Sequence, residues 1–218
     1  MHVLYEEDGA FRTASILADN DTSLQVETAS GKRSKIKTTS VLLRYSEPAP
    51  TLLLDEAEAL AAGMEHEFLW ECLGDGEFSF ADFANEYFGH AASAVEAAAL
   101  LLALHSAPIY FHRKGKGRFR KAPADILQAA LAGLEKKRQQ ALSIGRMVAE
   151  LKAFTLPPEF TPILSQLLYK PDRNRSETKA LEAACSESGL SAPHLLHRCG
   201  AIRSAHDYHL QRFLLEYF

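Results

Sequence analysis

No stretch of eighteen consecutive apolar residues occurs in this chain, so no segment of it suits a membrane-spanning helix. Cysteine is scarce: Cys72, Cys185 and Cys199 are odd in number, far apart and without a C-x-x-C pair. That excludes a disulfide framework and fits small buried hydrophobes in a reducing, cytoplasmic setting. Positive charge is missing from the opening M-H-V-L-Y-E-E-D-G, where a secretory leader would carry it, so no leader is expected. Catalytic signatures are also missing. There is no H-E-x-x-H, no Walker loop, no G-x-S-x-G and no tight run of aspartates for two-metal chemistry. His206 with His209, and His194 with His197, stand three apart without a third ligand, and fit a surface or an interface better than a metal.

What the chain does have is one concentrated run of charge. Its net charge is −4 over 218 residues, yet positions 112–121 read H-R-K-G-K-G-R-F-R-K, with no acid. Two short strands around the Lys-Gly-Lys-Gly tip make a cationic hairpin suited to a polyanion with regularly repeating phosphates. Arg113, Lys114, Lys116, Arg118, Arg120 and Lys121 are the candidate phosphate contacts, with Phe119 as a stacking residue for an unpaired base. The competing reading is a solvated charged turn whose aromatics anchor it to a core. A second cluster, Arg33, Lys35 and Lys37, falls on one face of a predicted strand and could extend such a track. Edge-strand lysines that deter aggregation explain it equally well. A third, at Lys170, Arg173, Arg175 and Lys179, is interleaved with Asp172 and Glu177 and reads as self-compensated.

The pattern predicts a mainly helical α+β chain in four parts. Residues 1–45 hold short β-rich runs (3–5, 11–17, 24–28, 35–37, 41–45) between turn clusters, which suggests a small SH3-like barrel, with an OB-fold as the alternative. Residues 46–64 read as a Pro-rich linker and a helix. Residues 65–122 give three helices, at 65–72, 79–88 and 93–105, then a hairpin at 108–121, the order of a winged helix-turn-helix. Ser79 with Asp82 resembles a capping box under a Phe78–Phe83 staple, Gly89 is a stop, and Ser93 with Glu96 forms a second box.

Residues 123–218 read as helical. A long helix from Pro123 to about 154 would bury Ile126, Leu127, Leu131, Leu134, Leu142 and Leu151, and a last one, over 204–218, would bury Tyr208, Phe213, Leu214, Tyr217 and Phe218. The helix over 93–105 has only Glu96 and His105 as polar groups after its cap, too few to read base edges in a major groove.

Six stretches, in this order, resemble the N-terminal, non-catalytic region of a bacterial branch of the ribonuclease II/ribonuclease R exoribonucleases. They are V-L-Y-E-E-D-G-A-F (3–11), S-G-K-R-S-K-I-K (30–37), F-L-W-E-C (68–72), A-P-I-Y-F-H-R-K-G-K-G-R-F-R (107–120), L-A-G-L-E-K-K-R-Q-Q-A-L (131–142) and K-A-L-E-A-A-C (179–185). Family members degrade RNA from its 3′ end with Mg²⁺ held by aspartates of a separate catalytic domain. The resemblance therefore implies an accessory module with no cofactor or catalytic residue of its own. Its expected partners are single-stranded RNA and a catalytic domain following in the same polypeptide, with no membrane. About four engaged phosphates would give a log affinity–log salt slope near −3, at about 0.7 per phosphate. The rival readings are a winged-helix regulator of duplex DNA and a protein-interaction scaffold.

Overall fold

A computed structural model of the chain describes residues 1–217. It is an α+β protein that divides into two compact units, Met1–Leu131 and Ala132–Phe218. Phe218, the last residue of the expected C-terminal cluster, lies outside the described residues.

The first unit opens with five antiparallel strands: β1 (His2–Glu7), β2 (Ala10–Asp19), β3 (Ser23–Glu27), β4 (Arg33–Lys37) and β5 (Val41–Tyr45). All five predicted β runs are present, in the order β4-β3-β2-β1-β5. Alternation along β1 sends Val3 and Tyr5 to one face, where they meet Ala14, Leu24, Val26 and Ile36, while Leu4 joins the helical core on the other. The expected barrel does not close: β4 and β5 remain separate edges. β5 commits Tyr45, with Leu42 and Leu43, to the helical core rather than to β4.

Four helices and three strands complete the unit. Helix α1 (Pro50–Ala61) buries Leu53 and Ala57; α2 (His66–Glu71) is followed by β6 (Glu77–Ser79), α3 (Phe80–Phe88) and α4 (Ala94–Ser106). The strands β7 (Phe111–Gly115) and β8 (Arg118–Lys121) then make the hairpin, and β6 pairs with β8 in a sheet of order β6-β8-β7. The expected boundaries of α2, α3 and α4 hold to within one residue, and for α3 and α4 the reason is local capping. Ser93 and Glu96 form the full reciprocal box at the start of α4, and Gly89 closes α3 in the left-handed region. At α3 the Ser79 hydroxyl accepts from Ala81 N and makes a simple cap rather than the expected box with Asp82, while Phe78 and Phe83 meet edge-on at 5.4 Å between centroids, the expected staple.

Helix α4 is the centre of this core. Ala97, Ala98, Ala99, Leu100, Leu101, Ala103 and Leu104 are all buried, and its apolar side chains therefore point inward all round the helix. Each fully buried leucine contributes about 1.5–3 kcal/mol relative to exposure.

Helix α5 (Ala124–Lys152) runs across the division between units. Leu127 and Leu151 are buried as expected, but Ile126, Leu134 and Leu142 are exposed. Around Glu135–Arg138 charged side chains face every side of the helix, so no continuous apolar stripe exists there to be covered.

The second unit follows with a 3-10 segment (Pro158–Ile163), α6 (Leu164–Tyr169), α7 (Ser176–Ser188), α8 (Ala192–Arg198) and α9 (Ala205–Tyr217). Its core gathers Met147, Leu151, Phe160, Leu167, Leu181, Leu195 and Leu196. In α9, Tyr208 stacks on Tyr169 at 5.5 Å, but Phe213, Leu214 and Tyr217 are exposed, against expectation. No helix among the described residues is long and apolar enough to cross a membrane.

Candidate nucleic-acid interface

The cationic hairpin is a real β-ribbon, but its charges are divided between two faces. Opposite residues in antiparallel strands share a face, and the register places Glu77, Arg120 and His112 in one row across β6, β8 and β7. The next row, on the opposite face, is Phe78, Phe119 and Arg113, and the third is Ser79, Arg118 and Gly115. The register slips between Arg113 and Gly115, leaving Lys114 on a bulge.

The core-facing side holds Phe111 and Phe119, each 1% exposed. Phe119 stacks on Phe78 at 6.3 Å between centroids. It anchors the ribbon to the core and cannot stack on a base, a correction to the expectation above.

Two of the six cations are also structural. The Arg113 guanidinium donates to both carboxylate oxygens of Glu6, at 2.9 and 2.7 Å, and a second nitrogen lies 3.2 Å from His105 Nε2. Lys121 Nζ donates to the Leu73 carbonyl at 2.6 Å, sits 3.5 Å from Asp75 and lies 4.8 Å above the Trp70 ring. Trp70 in turn donates to the Ala122 carbonyl at 2.8 Å, which fixes α2 against the end of β8.

The ribbon does not project alone into solvent. Lys116 donates to Ser40 Oγ at 2.9 Å, so the tip rests on the 3-10 turn (Thr38–Ser40) between β4 and β5. Gly117 adopts φ 67°, is buried, and accepts from Phe80 N at 3.0 Å.

Lys114, Arg118 and Arg120 remain. All three are exposed, and among the described residues none joins an ion pair. Arg118 and Arg120 are two residues apart on the solvent face, about 7 Å along the strand. Glu77 is the one acid in their rows.

On β4, Arg33, Lys35 and Lys37 share the exposed face while Ile36 is buried, as the alternation predicts. Arg33 is tied to Glu27 at 3.1 Å; Lys35 and Lys37 face Gln25 and Ser23 across the ladder. The interleaved cluster near Arg175 forms the expected internal pair with Glu177 at 3.1 Å.

Strand alternation contained part of this division: Phe111 with Arg113, and Phe119 with Lys121, are two apart and must share a face. The roles of Glu6, Ser40, His105 and strand β6 left no comparable local signal. No family model, no curated protein and no solved structure matches this chain.

Proposed function

We propose that the first unit is an RNA-binding accessory module that grips single strands through their phosphates, using Lys114, Arg118 and Arg120. It would serve a ribonuclease II-type catalytic domain in the same polypeptide, where Mg²⁺ would act. The carrying observation is that Arg118 and Arg120, on the solvent face of β8, join no ion pair among the described residues, although Glu77 lies across from Arg120, with Lys114 on the adjacent bulge. A guanidinium without a carboxylate partner can take a phosphate at little cost in broken contacts.

Supporting a winged-helix reading, the element order α2-β6-α3-α4-β7-β8 with β8 between β6 and β7 is what that module requires. Five short strands with a 3-10 turn before the last favour an SH3-like relationship for the N-terminal sheet. Neither supports sequence reading of a duplex. The helix that would enter a major groove is α4, and it is spent on the core. Contact by the ribbon with a flexible backbone is the better use of this geometry.

The test is anisotropy of a labelled single-stranded RNA with the full chain, competed by unlabelled duplex DNA. The expected result is preference for the RNA and loss of at least about tenfold in affinity for Arg118→Glu with Arg120→Glu. Preference for the duplex, or unchanged RNA affinity in that double variant, would overturn the reading.

A further inference from the structure

Several cations of the first unit are neutralised by acids, Arg12 by Glu7 and Arg44 by Asp19 among them. Arg113, Arg33 and Lys121 each lie against a carboxylate, Glu6, Glu27 and Asp75 respectively. Lys116 differs, because its one partner among the described residues is the neutral hydroxyl of Ser40. That bond fixes the ammonium in place without cancelling its charge and leaves it two further donor hydrogens.

Ser40 ends the 3-10 turn that begins immediately after Lys37. Such a turn advances about 2 Å per residue, so Lys37 lies about 6 Å along the chain from Ser40. Lys35 and Lys37 then continue along β4, about 7 Å apart on its exposed face. Gln25 and Ser23, both uncharged, are their cross-strand neighbours.

From these contacts we infer that hairpin and edge strand form one continuous phosphate track, Arg120–Arg118–Lys114–Lys116–Lys37–Lys35, joined at Ser40. The inference rests on the RNA-binding reading above and adds its extent: a strand long enough to leave the hairpin is held along β4 as well. Sequence position separates the two clusters by about eighty residues, and the Lys116–Ser40 contact brings them together. Six cations in a line match a single-stranded backbone, whose charges repeat along one path and whose flexibility lets it follow the corner at Ser40.

Length dependence tests this directly. Oligouridylates of four and twelve nucleotides are titrated against the full chain over a range of salt. The track gives a log–log slope near −2 for the short strand on the hairpin and about −4 for the long one, at about 0.7 per phosphate.

Lys35→Glu with Lys37→Glu lowers affinity for the twelve-mer by about tenfold or more and leaves the four-mer within about twofold. These side chains are exposed and, among the described residues, unpaired, and a thermal melt matching the parent excludes unfolding. Equal slopes for both lengths, with the double variant binding the twelve-mer normally, would overturn the track while leaving the hairpin grip standing. No binding of either oligomer by the parent chain would end both.

Discussion

Arg113 on β7 and Glu6 on β1 are 107 residues apart, yet the guanidinium closes a two-point ion pair on the carboxylate. The pair joins the hairpin to the N-terminal sheet, and Glu6 is well shielded while Arg113 is partly open. Replacing Arg113 by Ala destabilises the fold by about 1–2 kcal/mol, the range for a charge-assisted bond with one exposed partner. RNA affinity of the folded variant stays within about twofold. Denaturant melts and anisotropy check the two halves; a tenfold loss of affinity without loss of stability would make Arg113 a contact residue.

Gly117 occupies the one turn position of the hairpin where a side chain has no room. Its φ of 67° disfavours any L side chain, and an added Cβ would meet the Phe80 ring at 2.9 Å. Gly117→Ala costs about 1–3 kcal/mol from the backbone conformation alone. Gly115→Ala is the control: nothing lies within 4 Å of its Cβ position, and it stays within about 0.5 kcal/mol. Urea melts of the two variants should therefore separate clearly.

Tyr45 places its ring in the core and leaves its hydroxyl buried without a hydrogen-bond partner among the described residues. Tyr45→Phe removes a polar group that lost its water, and raises stability by about 1 kcal/mol. Burial also pushes the phenol up to about 12. A phenol raised on folding contributes stability that is complete below the ordinary tyrosine value of about 10 and is lost as pH rises through the folded value. Burial also raises Tyr5 and Tyr169, so phenolate absorbance should show several late-titrating tyrosines, one of which the Phe variant lacks. A destabilised Tyr45→Phe would mean the hydroxyl has a partner.

His90 lies in the turn between α3 and α4, with Nδ1 on the Phe88 carbonyl at 2.9 Å and Nε2 on Glu96 at 3.2 Å. The carbonyl contact first, then the Glu96 carboxylate, raise its pKa. Its contribution to stability is thus complete below the usual histidine value and disappears as pH rises through the raised one. Glu96 runs the other way. Held down chiefly by the Ser93 N–H, it stabilises above the usual carboxylate value and fails as pH falls through its lowered one. A proton NMR titration should find His90 above 6.5, and Glu96→Gln should bring it down without abolishing the shift. An unchanged His90 in that variant would remove Glu96 from the account.

Local chemistry made the helices of the first unit readable. Ser93, Glu96, Gly89 and the Phe78–Phe83 staple act within a few residues, so their meaning survives in a linear string. The charged run shows the limit. Alternation separates Arg113 and Lys121 from the other cations, but what they do is set by partners far along the chain: Glu6 takes Arg113, while Leu73 and Asp75 take Lys121. Phe119 misled for the same reason, since strand β6, which places Phe78 beside it, is three residues long and carries almost no pattern. The closed barrel failed because closure depends on where β5 buries Tyr45, and the helical core claims it.

The central claim is that Arg118 and Arg120 touch RNA phosphates while their neighbours hold the fold together. The direct measurement is the salt dependence of single-stranded RNA binding for the parent chain and for Arg118→Ala with Arg120→Ala. Losing two phosphate contacts should reduce the magnitude of the log–log slope by about 1.4, at about 0.7 each, with the melting temperature unchanged. An identical slope in the two proteins would contradict the claim.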